Sequence, residues 1–280
     1  MNDPRPAPAA KGLQWSGRTD CGTVRRNNED AMMGLQFDAR DVHHLGAIGD
    51  GLTGHLDFAF AVSDGMGGAK AGEYASRIAV RKITALLPRA YRQWAVGLEA
   101  GFPDVLEDLF AEVHGELARL GRSYEECAGM ETTLSLCWFT PGWMYFAHIG
   151  DSRIYFLPER AETIKQLSED DTHVGWLLRQ GKINEREARS HPRRKVLQKA
   201  LGGGNQFVIP QVGAVAYEAG DMFLLCTDGL VEGLYDRDLV ELLRAPESTR
   251  RGASPADWLV RESLARSGRD NTTALVVRVV

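Results

Sequence analysis

Four short segments of this 280-residue sequence set a carboxylate beside a glycine or a polar turn. They are Asn28-Glu29-Asp30, Asp64-Gly65-Met66-Gly67-Gly68, Thr227-Asp228-Gly229-Leu230 and Arg269-Asp270-Asn271-Thr272. Asp64 follows the apolar run Leu56 to Ser63, and Asp228 follows Phe223-Leu224-Leu225-Cys226. In both places an apolar strand delivers a carboxylate to a sheet edge, and the glycine lets backbone approach closely. Carboxylates and backbone carbonyls are the ligands that hard cations such as Mg2+ and Mn2+ take. Carboxylates that converge without a cation repel and raise one another's pKa. Two cations about 3.5–4 Å apart, bridged by one carboxylate, would resolve that conflict and lower the pKa of a shared water.

A single Asp-Gly is an ordinary turn pair. Asp50-Gly51 follows no long apolar run and reads as a loop or hairpin tip. The weight therefore rests on the ordered set of four.

The elements that must position these groups follow from periodicity. Strands are expected at Leu56–Ser63, Thr132–Phe139, Trp143–Ile149, Arg153–Leu157, Asp221–Cys226 and Thr272–Val280. Thr140-Pro141-Gly142 reads as the turn of a hairpin between the second and third of them. Ala71, Ala75, Ile78, Ala79 and Leu86 share one face of a helix over 71–87, which Pro88 should stop. A second long helix is expected over 104–120, and shorter ones over 236–243 and 254–265, the last capped by Ser254 with Pro255 at its first position. Closely spaced strands imply antiparallel pairing, and two consecutive long helices imply a packed pair over one face. The class is α+β in layers rather than a parallel array.

Composition excludes several alternatives. Hydrophobic residues make up 44% and charged residues 25%, with a formal net charge of −5, so there is no electrostatic case for nucleic acid. Cys21, Cys127, Cys137 and Cys226 are scattered, with no CxxC pair, and read as reduced thiols rather than a zinc site or disulfide framework. Residues 1–12 are rich in Pro and Ala with no apolar core of a signal peptide, and read as a disordered leader before one domain spanning 13–280. No run approaches the roughly 18 apolar residues of a membrane span. A soluble, cytoplasmic, monomeric protein is expected.

The four segments and the stretches between them resemble the metal-dependent protein phosphatases, the PPM or PP2C-type Ser/Thr phosphatases, in their compact bacterial form. The likeness runs through Thr19-Asp20-Cys21-Gly22, Val24-Arg25, Asn28-Glu29-Asp30, Asp64-Gly65-Met66-Gly67-Gly68 and Gly72-Glu73. It continues through Thr132-Thr133, His148-Ile149-Gly150-Asp151-Ser152-Arg153, His191-Pro192-Arg193-Arg194, Leu225 to Leu230 and Asp270 to Thr273, and so covers roughly residues 14–280. It implies a four-layer αββα sandwich, two antiparallel sheets flanked by helical pairs. It implies two divalent cations, Mn2+ or Mg2+, with Asp64 bridging them and the Gly65 carbonyl ligating one. Asp228 and Asp270 would complete the first cation's shell, and Glu29 and Asp30 would hold the second, directly or through water. Asp151, with Asp228, resembles the site of a weaker third cation. Arg25 stands five residues before Asp30, where the family places its phosphate-binding arginine, and a guanidinium fork suits two phosphate oxygens.

The implied reaction is direct attack of a metal-activated water on a phosphoserine or phosphothreonine monoester. The implied partners are phosphorylated proteins, with a bacterial Ser/Thr kinase as the opposing activity. Met66 replaces the histidine that eukaryotic relatives carry after the Asp-Gly, and His148 reads as a hydrogen-bonded core residue. Glu131 stands where the family has Gly. Ser168 to Gly202 resembles the family's flap beside the substrate groove, with Asp171 in place of His and Lys195 in place of Asn. His43, His44 and His55 read as parts of an exposed loop. The alternative functions are an inactive phosphoprotein-binding pseudophosphatase, and a metal-dependent phosphodiesterase or nuclease.

Overall fold

The computed structural model describes residues 11–54, 56–68, 71–95, 101–204 and 208–280. Through the first half of the chain run β1 (Gly12–Asp20), β2 (Asp30–Phe37), β3 (Val42–His44), β4 (Ile48–Leu52) and β5 (Asp57–Met66), then helices α1 (Ala71–Ala95) and α2 (Phe102–Ser123). Next come β6 (Glu131–Thr132), β7 (Leu134–Thr140), β8 (Trp143–Ile149), β9 (Arg153–Leu157), β10 (Lys165–Gln166), α3 (His173–Arg179) and α4 (Glu185–Ser190). The last part holds β11 (Leu201–Gly202), β12 (Gln211–Ala216), β13 (Met222–Cys226), α5 (Asp228–Gly233), α6 (Asp236–Arg244), α7 (Glu247–Arg250), α8 (Pro255–Arg266) and β14 (Thr272–Val279).

Two antiparallel sheets form the centre. One runs in the order β10-β9-β13-β14-β1-β4; the other runs β11-β6-β5-β7-β8-β12, with β2 paired to β5 and β3 to β2. Phe58, Phe60, Phe139, Phe223 and Val277 fill the space between the sheets. Ile83, Leu87, Phe110 and Leu117 of α1 and α2 cover the outer face of the second sheet, around Trp138. Leu239, Leu259 and Val260 of α6 and α8 cover the first sheet on its far side. This is the expected four-layer α+β sandwich. Among the described residues no helix is long and apolar enough to cross a membrane.

Three expectations need correction. Pro88 does not stop α1, which runs on to Ala95. Proline inside a helix costs about 3 kcal/mol, but the helix beyond it is held by packing. Leu87 and Ala90 are buried, and the Tyr91 ring lies 6.3 Å from Trp138 and edge-on to Phe37 at 5.9 Å. Asp50-Gly51 is not a loop tip but the middle of β4, paired with β1. His43 and His44 lie on β3 rather than in a loop, both exposed, while His55 lies outside the described residues. So do residues 1–10 of the expected leader; β1 begins at Gly12, whose N–H donates to the Val280 carbonyl at 3.0 Å.

Far from the acidic segments, Asp57 is buried at the start of β5, accepting the Trp138 indole N–H at 2.8 Å. Burial pushes its carboxyl up to about 6, and the indole bond offsets this only in part. A carboxyl raised in the folded state adds stability while protonated, and loses it as pH rises through the folded value. Asp57→Asn keeps the acceptor and removes the titration. It is expected to raise stability by about 2 kcal/mol at pH 7.5 and to change little at pH 4, read from thermal melts at the two pH values.

Candidate metal centre

The acidic segments meet at one edge of the sandwich. The register of β2 on β5 sets Asp30 opposite Asp64. Asp228 opens α5 two residues after β13, and Asp270 stands two residues before β14. Asn271 ties the first acidic segment to the last. Its Oδ1 accepts the Glu29 N–H at 2.8 Å, and its Nδ2 donates to the carbonyls of Cys21 at 3.0 Å and Asn27 at 2.9 Å.

Each carboxylate is held by groups that fix its direction. Asp30 Oδ2 accepts hydroxyl bonds from Thr227 at 2.8 Å and Thr273 at 2.6 Å. The Asp64 N–H donates to Thr133 Oγ1 at 2.9 Å, and that hydroxyl pairs with Ser152 Oγ at 2.7 Å, beside Asp151. Gly65 donates its N–H to the Glu29 carbonyl at 3.1 Å. A Cβ on Gly65 would overlap the Gly72 carbonyl, so only glycine allows the two backbones to approach there. Arg25 grips Asp270 with both prongs, Nε to Oδ1 at 2.9 Å and Nη2 to Oδ2 at 3.1 Å.

The electrostatics divide the cluster in two. Asp64 is pushed well above the usual carboxylate range by burial and then by Asp30, Asp228, Asp151 and Asp270. Burial also raises Asp151, Asp30 and Asp228. Glu29 is raised by burial, against the pull of Arg25. Asp270 alone is lowered: burial acts to raise it, but Lys195 and Arg25 outweigh that.

The set suits hard cations. It is all oxygen, and one oxygen each from Asp228, Glu232 and Asp270 lie within 4.8 Å of one another. Asp30 Oδ1 and Asp228 Oδ1 are buried with no hydrogen-bond partner among the described residues. A buried anionic oxygen without a donor is costly, and a cation removes that cost. Asp30, Asp64, Gly65, Asp228 and Asp270 are thus brought together, with Asp151 beside Asp228, Glu29 next to Asp30 in the chain and Arg25 turned onto Asp270.

Two members of the cluster escaped the sequence reading. Glu232 stands four residues after Asp228, the spacing that puts both on one helix face, but the short α5 gave no periodic signal. Lys195 was visible only as a departure from the family pattern. Its ammonium reaches Asp228 Oδ2 at 3.2 Å, Glu232 Oε1 at 2.8 Å and, more closely still, Asp270 Oδ2. His148 is buried as expected, with Nδ1 at 2.8 Å from Ser135 Oγ and Nε2 at 3.1 Å from the Gly150 carbonyl.

Gly65→Ala is expected to destabilise the fold by about 1–3 kcal/mol in thermal melts. It should also weaken Mn2+ binding by at least about tenfold in calorimetry, because the Gly65 carbonyl would be displaced.

The sequence profile of the family described as protein phosphatase 2C matches residues 47–265. The chain is 34% identical over 271 residues to the serine/threonine protein phosphatase PstP of Mycobacterium tuberculosis, covering 96% of this chain but only 45% of that relative's length. It is 32% identical over 261 residues to the serine/threonine phosphatase stp of Listeria innocua, covering 93% of each. A crystal structure of the PstP catalytic domain in complex with two manganese ions superposes with a TM-score of 0.75 at 29% identity, covering 97% of this chain and 100% of that one. The M. tuberculosis PstP/Ppp crystal structure gives 0.73 at 30% identity, covering 95% and 98%. With fold, motif order and relatives in agreement, the chain belongs to the protein phosphatase 2C family.

Proposed function

We propose that this chain is a metal-dependent phosphatase acting on phosphoserine and phosphothreonine in proteins. The observation that carries the reading is the meeting of Asp30, Asp64, Asp228 and Asp270 from four distant segments, where Asp30 Oδ1 and Asp228 Oδ1 are buried with no hydrogen-bond partner among the described residues. Two divalent cations would be held by Asp64, the Gly65 carbonyl, Asp228, Asp270, Asp30 and Glu29, with Asp64, the carboxylate most crowded by its neighbours, shared between them. Asp151, which lies close enough to Asp228 to be raised by its charge, would with it hold a weaker third. When bound, the cations neutralise phosphoryl oxygens and ease loss of a proton from the attacking water.

The remaining work falls to the chain itself. The Thr227 and Thr273 hydroxyls hold Asp30 in one orientation. Arg25, half exposed at the rim, has the fork that matches two oxygens of a phosphate, and exchanges Asp270 for substrate. Met66 has no proton to give, and both ring nitrogens of His148 are engaged in the core. The proton for the leaving hydroxyl is therefore assigned to water. Every expected ligand position holds its carboxylate, which favours turnover over a pseudophosphatase role. The cell's substrates on this reading are phosphoproteins made by a Ser/Thr kinase, and the chain acts as a cytoplasmic monomer.

The test is phosphate release from a phosphothreonine peptide and from an aryl phosphate. Turnover is expected with Mn2+ or Mg2+ and to vanish with EDTA. Asp64→Ala and Asp228→Ala should each lower kcat by about 10²–10³-fold or more. Arg25→Ala should lower kcat/KM by about 10²-fold, with Lys a poor replacement because it lacks the fork. A folded sample that binds Mn2+ without releasing phosphate would end this reading.

A further inference from the structure

Lys195 lies on the segment between α4 and β11, far along the chain from the carboxylates it touches. An ammonium has three N–H donors. Here three different carboxylates stand around it: Asp228 Oδ2 at 3.2 Å, Glu232 Oε1 at 2.8 Å and Asp270 Oδ2. Its charge is also felt at Asp151. The same three carboxylates are those whose oxygens cluster closely enough to hold a metal ion. A divalent cation coordinates carboxylate oxygens at about 2.1 Å, so one bound to Asp270 Oδ2 would stand within roughly 3–4 Å of this ammonium. At that distance a single and a double positive charge repel strongly.

We propose that Lys195 and a divalent cation are alternative occupants of the Asp228–Glu232–Asp270 cup, so that loading the metal releases the Arg194–Lys195 tip of the 191–197 segment from the site. The proposal rests on the metal-binding reading above and adds a latch to it. Only the tip of the segment depends on the cup. Its root is fixed elsewhere, by Gln198 N–H to the Asp171 carbonyl at 2.7 Å, by His173 N–H to the Val196 carbonyl at 3.4 Å and by the bridge between Thr172 and Leu197. Release of Lys195 therefore swings the tip about a held root rather than unfolding the segment. Arg194, 4.0 Å from Glu232, would leave with it. Glu232 completes the tripod through charge: its Oε1 lies 2.8 Å from the ammonium as an ion pair, and that buried oxygen has no hydrogen-bond partner among the described residues.

The experiment is Mn2+ titration by calorimetry on wild type, Lys195→Gln and Lys199→Gln, with hydrogen exchange of the 191–197 amides. Lys195 is 38% exposed, so its substitution leaves the core untouched. Lys195→Gln is expected to bind Mn2+ about tenfold more tightly, because the competitor is gone. Lys199→Gln, which removes an equal charge paired with Asp171, should stay within about twofold of wild type. Mn2+ should speed exchange at Arg194 and Lys195 in wild type and make no difference in Lys195→Gln, where exchange is already fast. Unchanged or weaker Mn2+ affinity in Lys195→Gln overturns the latch and leaves the phosphatase reading standing. So does an equal gain in Lys199→Gln, which would mean bulk charge, or slowed exchange on Mn2+ addition. Failure of all three proteins to bind Mn2+ overturns both.

Discussion

Like charge crowded into a buried place is the constraint around which this molecule is organised. Asp64 feels Asp30, Asp228, Asp151 and Asp270 at once, in surroundings that already disfavour ionisation. Water would screen such a cluster, and burial removes the screen. The protein's own cations outweigh the crowding at one carboxylate only. Arg25 and Lys195 compensate Asp270, which stays below the usual range. Asp30 has the Thr227 and Thr273 hydroxyls, Asp151 feels Lys195 and Arg153, Asp64 is crowded only by other carboxylates, and all three remain raised. The imbalance marks where outside positive charge is most wanted.

Holding such a cluster together requires a scaffold stable enough to bear it. The inter-sheet core around Phe58, Phe139 and Phe223 and the outer core around Trp138 supply that stability at a distance from the charges. The carboxylates sit where β2, β5, β13 and β14 meet solvent, so the apolar strands anchor them and do not have to surround them. Hydroxyls do the fine positioning. Ser63, Thr132, Thr133 and Ser152 form a buried set of short contacts beneath Asp64, one 2.7 Å link joining β5 to β6 and the other joining Thr133, between β6 and β7, to Ser152 just before β9. Such a set fixes backbone to within the tolerance that ligand geometry demands.

β5 and β13, which deliver Asp64 and Asp228, were legible because each is an apolar run leading into Asp-Gly, a local signal. Other parts were not local. β4 carries Gly49 and Gly51, which resemble loop residues in sequence. In the fold, a side chain at either would collide with the rings of Trp15 or Phe58, so the glycines belong to a strand pressed against aromatics. Pro88 was a sound stop signal, overridden by Leu87, Ala90 and Tyr91 packing onto the sheet. β2 was hidden by Gly34, whose place is taken by the Phe60 ring and Leu45. Lys195 and Glu232 depend on a meeting of the segment between α4 and β11 with α5, which no window of sequence reports. What was read from the resemblance was the set of expected ligands; what the fold added was the company they keep.

Asn271 gives this arrangement a temporal dimension. Its amide spans 242 positions to Glu29 and 250 to Cys21, joining the first acidic segment to the last strand. During synthesis, residues up to the end of α2 can begin to collapse while the partners of Asp30 and Glu29 are still inside the ribosome. Contacts so distant in sequence close late and slowly. The cup for the cations is therefore assembled last, and a nascent chain carries no working site until its final strand has emerged and paired.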